Sequence, residues 1–293
     1  MPFDTATQEA PTMTLAPPGE RRVTCELTLD ATTAASLALQ IAAAGDPADG
    51  RVESLELTSN GAPIGATVVP ALAGGREHVV HLLPGPLAVR YEAVLPAPPT
   101  NAPAPVTDRA RNDALRPSRY CPSDRLEGFA RSHFGGITTN LDRVRAICDY
   151  VHDHVAYLPG SSGPVTDALD TLLAGSGVCR DFAHLTAALC RAVQVPARVA
   201  AVYAPGLSPM DLHMVTETEI DGSWWVWDAT RLAPRQSLVR IATGRDAADI
   251  AFSTVLSGHV DFGELAVSAV VAGDLPVDDH TRLTSLEEPD LPL

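Results

Sequence analysis

The 293-residue chain contains no lysine: all 21 basic residues are arginine, against 36 acidic ones, leaving a formal charge of −15. A chain without an ε-amine cannot serve as its own acyl acceptor, and a surface this acidic repels phosphate backbones and anionic lipid heads. Neither nucleic acid nor a membrane surface is therefore expected as a partner. No stretch reaches the roughly 18 apolar residues that a membrane-spanning helix needs. Residues 1–22 carry acids and prolines without the basic start and apolar core of a secretion signal. The five cysteines, Cys25, Cys121, Cys148, Cys179 and Cys190, are odd in number and include no Cys-x-x-Cys spacing. That disfavours both a disulfide framework and a structural zinc site. Gly175-Ser-Gly177 lacks the length and the lysine of a phosphate-binding loop. Together these absences predict a cytoplasmic protein without metal or cofactor.

With hydrophobic residues at 45% and charged residues at 19%, a chain of this length is expected to form two domains with ample core. Residues 1–19, rich in Thr, Pro and Ala without periodicity, read as a loose leader. Over 20–95 the chain alternates: Val23, Cys25, Leu27 and Leu29, then Leu37, Leu39 and Ile41, recur at period two, and the runs 52–58, 78–83 and 87–95 continue the pattern. Asn60-Gly61 offers a hairpin turn with positive φ. The sum is a small all-β domain, a sandwich or open barrel. The proline-dense stretch 96–106 reads as an extended linker and domain boundary. Beyond it, over 107–275, the period changes to that of a helix. Ser123 and Asp124 cap a helix reaching about His133, and Asn140 caps another with Leu141, Val144, Ile147, Val151 and Val155 as its buried stripe. A short third, Asp167 to Leu173, is stopped by Gly175. Strands follow at 197–203, 212–220, 224–228 and 265–271, the second and third joined by an Asp221-Gly222 turn. Residues 276–293 read as an acidic, aperiodic tail. Helices followed by an antiparallel meander make this second region α+β.

Cys179 opens the next helix after Gly175-Ser-Gly177, and Phe182, Leu185, Ala188, Leu189 and Val193 share one of its faces. In the first turn of a helix, free backbone N–H groups and the positive end of the macrodipole favour thiolate over thiol. The same N–H groups can hold an oxyanion. Such a nucleophile needs a base and a group to orient that base. His213, in Asp211-Leu-His-Met-Val215, and Asp228, in Trp224-Trp-Val-Trp-Asp-Ala-Thr230, are the candidates. The turn at Asp221-Gly222 sets Asp228 two places from the cross-strand partner of His213, on or near the same face.

These blocks resemble the bacterial transglutaminase-like superfamily. Gly177-Val-Cys-Arg-Asp-Phe-Ala-His-Leu185 is followed by His213 on a strand and then by Trp224 or Trp225 through Asp228-Ala-Thr230, in the family's order. The flanks Leu115 to Asp124 and Gly244 to Ala251 are similar too, so the resemblance runs from about Leu115 to Val255. Where the family has Ala-Trp after its histidine, this chain has Met214 and Val215. The resemblance implies a papain-like core, a cysteine-bearing helix packed on antiparallel sheet. It further implies a Cys179, His213 and Asp228 triad acting on an amide or peptide substrate through a thioacyl-enzyme. Within the superfamily that intermediate meets water, giving an amidase or peptidase, or an amine, giving a transglutaminase. Hydrolysis is the expectation here, because the chain has no Asp-x-Asp-x-Asp-Gly loop to suggest the calcium-regulated cross-linking branch. Transamidation, and a non-catalytic scaffold that kept the fold, are the alternatives.

Other polar and sulfur-bearing residues read as structural. Cys190 lies mid-helix without a base, Cys148 beside a buried stripe, and Cys121 between Tyr120 and Pro122. His184, on the nucleophile's own helix, points well away from it and reads as hydrogen-bonding support. His152 and His154 are expected on the C-terminal carbonyls of their helix. Asp181 reads as a cap tied to a neighbouring arginine, and Asp246 and Asp249 as solvated surface. Tyr157, in a Tyr-Leu-Pro-Gly-Ser-Ser loop ahead of the nucleophile, is a candidate second oxyanion donor. Met210 and Leu212 hint at an apolar contact with substrate. Apart from His152-x-His154, no His or Cys spacing around the site suits a metal. Nothing in the pattern fixes an oligomeric state.

Overall fold

A computed structural model describes residues 19–46, 48–97 and 105–286. The leader up to residue 18, positions 98–104 of the proline-dense linker and positions 287–293 of the acidic tail lie outside the described residues. In the first region the strands are β1 (Arg21–Ala31), β2 (Ala35–Leu39), β3 (Val52–Ser59), β4 (Ala62–Pro63), β5 (Thr67–Pro70), β6 (Arg76–Leu82) and β7 (Gly85–Leu95). β1 buries every second residue, as its sequence alternates. Its inward Val23, Cys25 and Leu27 meet Leu37 and Leu39 of β2, Val80 of β6 and Val89 of β7 in one core. β1, β7, β3 and β4 lie in one sheet and β2, β6 and β5 in a second, which makes the arrangement a sandwich. Asn60 and Gly61 turn at φ 51° and 78°, the left-handed conformation that a tight hairpin requires.

The helical region comprises α1 (Asp108–Asp113), α2 (Ser123–Phe134), α3 (Asn140–His154), β8 (Ala156–Tyr157), α4 (Ala168–Ala174), β9 (Ser176–Gly177) and α5 (Cys179–Ala192). The cap of α3 is Thr139 rather than Asn140; its hydroxyl accepts from the Asp142 N–H at 3.1 Å. Asp167, expected as the first residue of α4, is its cap, accepting from the N–H groups of Leu169 and Asp170 at 2.9 Å each. α5 differs from the one-faced helix its periodicity suggests: every residue from Asp181 to Ala192 is buried. α2, α3, α4 and a sheet surround it, and Ala183, Ala187 and Ala192 are small enough to let them approach.

That sheet consists of β10 (Ala197–Tyr203), β11 (Leu212–Ile220), β12 (Ser223–Trp227) and β13 (Val239–Gly244) in the order β12-β11-β10-β13. Ile220 faces Ser223 and Thr216 faces Trp227, the register expected from the Asp221-Gly222 turn. The chain then departs from the sequence reading. β14 (Ser253–Ser257) and β15 (Val260–Val271) leave this sheet and cross to the sandwich. β15, expected as a short strand of the meander, runs antiparallel to β1, and β14 pairs with β2. Both cover ladder edges that residues 20–95 alone would leave open. Residues 276–286 are likewise no free tail: Leu286 is buried, and the Val226 N–H donates to the Thr284 carbonyl at 2.7 Å. Between the regions, Tyr203 stacks on Tyr91 at 6.3 Å and its hydroxyl donates to the Ile41 carbonyl at 2.6 Å. Among the described residues no helix is long and apolar enough to cross a membrane.

Candidate active site

Gly175, at φ 62°, ends α4 in the left-handed conformation, and the parallel pair β8 and β9 then leads the chain past Tyr157 to Cys179. The Leu158 N–H donates to the Gly177 carbonyl at 2.9 Å, which fixes that approach. At the helix start the Asp181 carboxylate accepts from the Val178 N–H at 2.8 Å and from the Ser162 hydroxyl. A side chain on Gly177 would bring its Cβ within 2.6 Å of the Asp181 Cβ, so the glycine is dictated by the cap. Arg180 lies 3.5 Å from the same carboxylate and donates to the Gly163 carbonyl at 2.7 Å. Asp181 is thus the arginine-tied cap that its position suggests.

Cys179 is half-buried, whereas the other four cysteines are buried. Burial pushes the thiol of Cys25 up to about 11 and those of Cys121 and Cys148 up to about 12, and it raises Cys190 well above the ordinary range. Those four stay protonated packing groups.

β11 lies against α5, and the Thr216 hydroxyl donates to the Ala183 carbonyl at 3.0 Å, locking strand to helix. Three residues earlier, His213 is 2% exposed. Its Nε2 lies 2.9 Å from Asp228 Oδ2, so the Nε2–H donates to that carboxylate. The other oxygen, Oδ1, accepts from the Thr230 N–H at 2.9 Å and from the Thr230 hydroxyl at 2.7 Å. His213 Nδ1 is buried, has no partner in hydrogen-bonding geometry, and borders the Cys179 thiol. Burial works against a charge on this ring, but the Asp228 carboxylate, its hydrogen bond and the neighbouring sulfur outweigh it and push the imidazole up to about 10. For Asp228, burial raises the carboxyl, yet His213 and Thr230 hold it below its ordinary value.

Tyr157 closes the group. The phenol is 41% exposed, its ring lies 5.9 Å from that of Phe182, and it stands close enough to Cys179 to feel its charge. Burial, then the charge of the sulfur, pushes the phenol up to about 12, so it remains a proton donor.

Behind the helix the two flanking motifs meet around His184. Its Nε2 accepts from the Ala247 N–H at 3.1 Å, its ring stacks on Tyr120 at 5.2 Å, and burial lowers the imidazole to about 3. Asp246, expected at the surface, is buried, because its carboxylate accepts from the Tyr120 N–H at 2.8 Å and the Ala248 N–H at 2.9 Å. The Tyr120 hydroxyl reaches the Pro164 carbonyl at 2.8 Å, bracing the loop that carries Ser162. His154 does cap its own helix, donating to the Tyr150 carbonyl at 2.8 Å, but His152 instead reaches the Ala229 carbonyl at 3.0 Å, next to Asp228. Leu212 packs on the core while Met210 is 46% exposed. Sequence reasoning passed over Thr230, although a hydroxyl two residues after an aspartate is a readable turn signal; for His152 no local signal exists. Among the described residues no group of three His, Cys, Asp or Glu could hold a metal ion.

With Cys179, His213 and Asp228 converging, comparison with known proteins becomes informative. Residues 127–229 match the core of the transglutaminase-like superfamily. The chain also superposes on a provisionally assigned cysteine protease from Cytophaga hutchinsonii with a TM-score of 0.80 and 30% identity, over 92% of this chain and 96% of that one. The chain belongs to the transglutaminase-like superfamily. Its superfamily core is the helix α5 packed on the antiparallel sheet, preceded by the β sandwich. An uncharacterized protein of Mycobacterium leprae is 26% identical over 151 residues, 48% of this chain and 53% of that protein; the chain spans about half the length of this curated relative. The periplasmic domain of TgpA from Pseudomonas aeruginosa aligns at 17% identity with a TM-score of 0.41, over 74% of this chain and 91% of that domain. Superfamily membership and the cysteine-protease neighbour support cysteine-dependent acyl transfer or hydrolysis in general terms.

Proposed function

We propose that the chain is a cysteine-dependent amidase or peptidase in which Cys179, His213 and Asp228 act as a triad. The observation that carries this reading is the imidazole pinned at Nε2 by Asp228 at 2.9 Å, with Nδ1 left to the Cys179 thiol. An imidazole raised to about 10 keeps its proton at neutral pH and so has it ready for the leaving group. The thiolate attacks the carbonyl carbon of an amide. The resulting oxyanion takes hydrogen bonds from the Cys179 N–H and, as second donor, the Tyr157 hydroxyl, which turns from the sulfur to the substrate. His213 Nδ1–H protonates the leaving nitrogen as the C–N bond breaks, giving amine and thioester. Water then enters, gives a proton to Nδ1 and attacks the thioester; thiolate leaves and carboxylic acid is released. Asp228 stabilises the imidazolium throughout and Thr230 fixes Asp228.

The substrate is an amide or peptide, and the exposed Leu158, next in sequence to Tyr157, with the exposed Met210 three residues before His213, favours an apolar acyl group. The odd cysteine count without paired spacing supports a reducing cytoplasm; recovery of the protein in the envelope fraction of lysed cells would contradict that assignment. The activity is tested by incubating the protein with a peptide amide, with and without excess primary amine, and weighing protein and products. A thioester adduct on Cys179 and free acid as product are expected. An amine adduct as the main product would make the enzyme a transamidase instead, and the absence of adduct and turnover with any of a panel of peptides would leave a scaffold that kept the fold.

A further inference from the structure

The strand that delivers Asp228 lies at the edge of its sheet. β12 has β11 as its one neighbouring strand, Ser223 at its start bridges Pro105 on the outer side, and Val226 turns both backbone polar groups outward. The Val226 N–H donates to the Thr284 carbonyl at 2.7 Å, and its carbonyl accepts from Arg235 Nη1 at 3.0 Å. Arg235 is 1% exposed, and its Nε and Nη2 each meet the Asp278 carboxylate at 2.8 Å. The same carboxylate accepts from the Arg235 backbone N–H at 3.0 Å, and Nη2 also donates to the Arg282 carbonyl at 3.1 Å. A cavity of about 390 Å³ is lined by Asp228 together with Arg145, Asp149, Trp227, Asp279 and His280. Residues 276–286 therefore tie the strand two positions before the carboxylate and also help to line the cavity that Asp228 borders.

We infer that residues 276–286 form a positioning strap, in which Asp278, acting through Arg235, holds β12 where Asp228 can meet His213. The inference rests on the reading of Cys179, His213 and Asp228 as one reacting unit. Asp278 touches none of the three. Removing its charge strands Arg235 as an unpaired buried cation, which must turn towards water and release the Val226 carbonyl. The edge strand then loses its outer support, and a catalytic group displaced by about 1 Å loses on the order of 10²-fold in rate.

The full chain is tested through alkylation of Cys179 by iodoacetamide as a function of pH, read by mass spectrometry with the four buried cysteines as reference. Asp278→Asn is expected to slow Cys179 labelling at about pH 6 roughly tenfold and to move its pH dependence upward. The same variant should shift the low-field proton resonance of the His213 Nε2–H, which a purely structural role would leave in place. Asp278→Glu should restore most of the rate, and Glu127→Gln, on the exposed side of α2, should change nothing. If Asp278→Asn fails to fold, the double variant Arg235→Met with Asp278→Leu, which replaces the pair by apolar groups of similar bulk, carries the same test. A folded variant of either kind with wild-type labelling and resonance overturns the strap. Wild-type Cys179 labelled no faster than the other four cysteines overturns the catalytic reading itself, so the two failures are distinct.

Discussion

In the sandwich, β1 and β2 turn Val23, Cys25, Leu27, Leu29, Leu37 and Leu39 inward, with Arg21 at the start of β1 the one charged side chain beside them; in the sheet beneath α5, His213, Thr216, Glu217, Thr218 and Arg240 are all buried. The first region draws its stability from apolar area removed from water, about 25 cal/mol per Å². The second encloses charge, which is tolerated only where each group meets a partner. Glu217 shows how: burial alone would raise its carboxyl, but Arg198 at 2.8 Å and Arg240 at 2.6 Å outweigh it and bring it down to about 2. Asp228 is held by the same logic, with Thr230 and His213 as partners. The difference between the regions is thus one of purpose: an interior that pairs a buried carboxylate with the ring keeps an imidazole oriented, and a hydrocarbon interior cannot do that.

The comparison breaks most sharply at the nucleophile. Cys179→Ala should remove turnover by about 10⁴-fold or more while leaving the thermal midpoint within a degree or two, because the side chain is small and half-buried. A variant with measurable turnover above about a hundredth of wild type would contradict Cys179 as nucleophile. Asp228→Asn comes next, with a loss of about 10³ to 10⁴ in kcat, since the amide can no longer favour the tautomer that leaves Nδ1 facing the sulfur. Steady-state kinetics with little change in KM is the expected signature. On the other side of the comparison, Leu37→Ala in the sandwich should cost about 2 to 5 kcal/mol of stability by leaving a cavity in a fully buried site. It should leave kcat of the folded protein near wild type; a parallel fall in kcat would show that the sandwich also shapes the site.

How much of this was legible in the sequence differs between the same two regions. Alternation revealed β1, β2, β3 and β7 because a half-buried strand writes its environment into every second residue. The hairpin of β11 and β12 was legible to the residue, since a turn at Asp221-Gly222 sets the register of everything beside it. The three site residues stand in motifs whose order survives in the fold, and the structure brings Cys179, His213 and Asp228 to one place. What could not be read is what depends on distant partners. β15 pairs with β1 across more than two hundred residues, so no local pattern announces it. Asp246 looks like a surface acid among alanines and is buried only because Tyr120 offers an N–H there. The strap residue Asp278 reads as tail for the same reason, its partner Arg235 being 43 positions away.

A finer test concerns Tyr157, which belongs to neither interior and stands at the mouth of the site. Tyr157→Phe keeps the ring against Phe182 but removes the hydroxyl. Loss of one oxyanion donor is worth on the order of 10² in kcat, so a fall of about that size with unchanged Cys179 labelling is expected. Slower labelling instead would mean that the phenol acts on the resting sulfur and not on the oxyanion.

The last effect expected is on the pH dependence of stability, where two buried histidines should pull in opposite directions. The His213 imidazole, raised from 6.5 to about 10, binds its proton more tightly in the folded than in the unfolded chain. Its contribution is fully present below about pH 6.5 and is lost as pH rises towards 10. His184, lowered from 6.5 to about 3, is kept neutral by burial, so its favourable state holds above about 6.5 and stability is lost as pH falls towards 3. Urea unfolding across this range should therefore show a decline on both sides. His213→Gln should flatten the decline between about pH 6.5 and 9, below the range where the buried thiols contribute, and His184→Gln the decline between about pH 6.5 and 4.5, above the range where the buried carboxylates do. The flanks are separable because the Asp228 carboxylate outweighs burial at one ring, whereas at the other burial, with Arg180 and Arg191, outweighs the Asp246 carboxylate. A decline between about pH 6.5 and 9 that survives in His213→Gln would mean that Asp228 does not hold the ring as a cation, and with that the proton donor for the leaving group would lose its support.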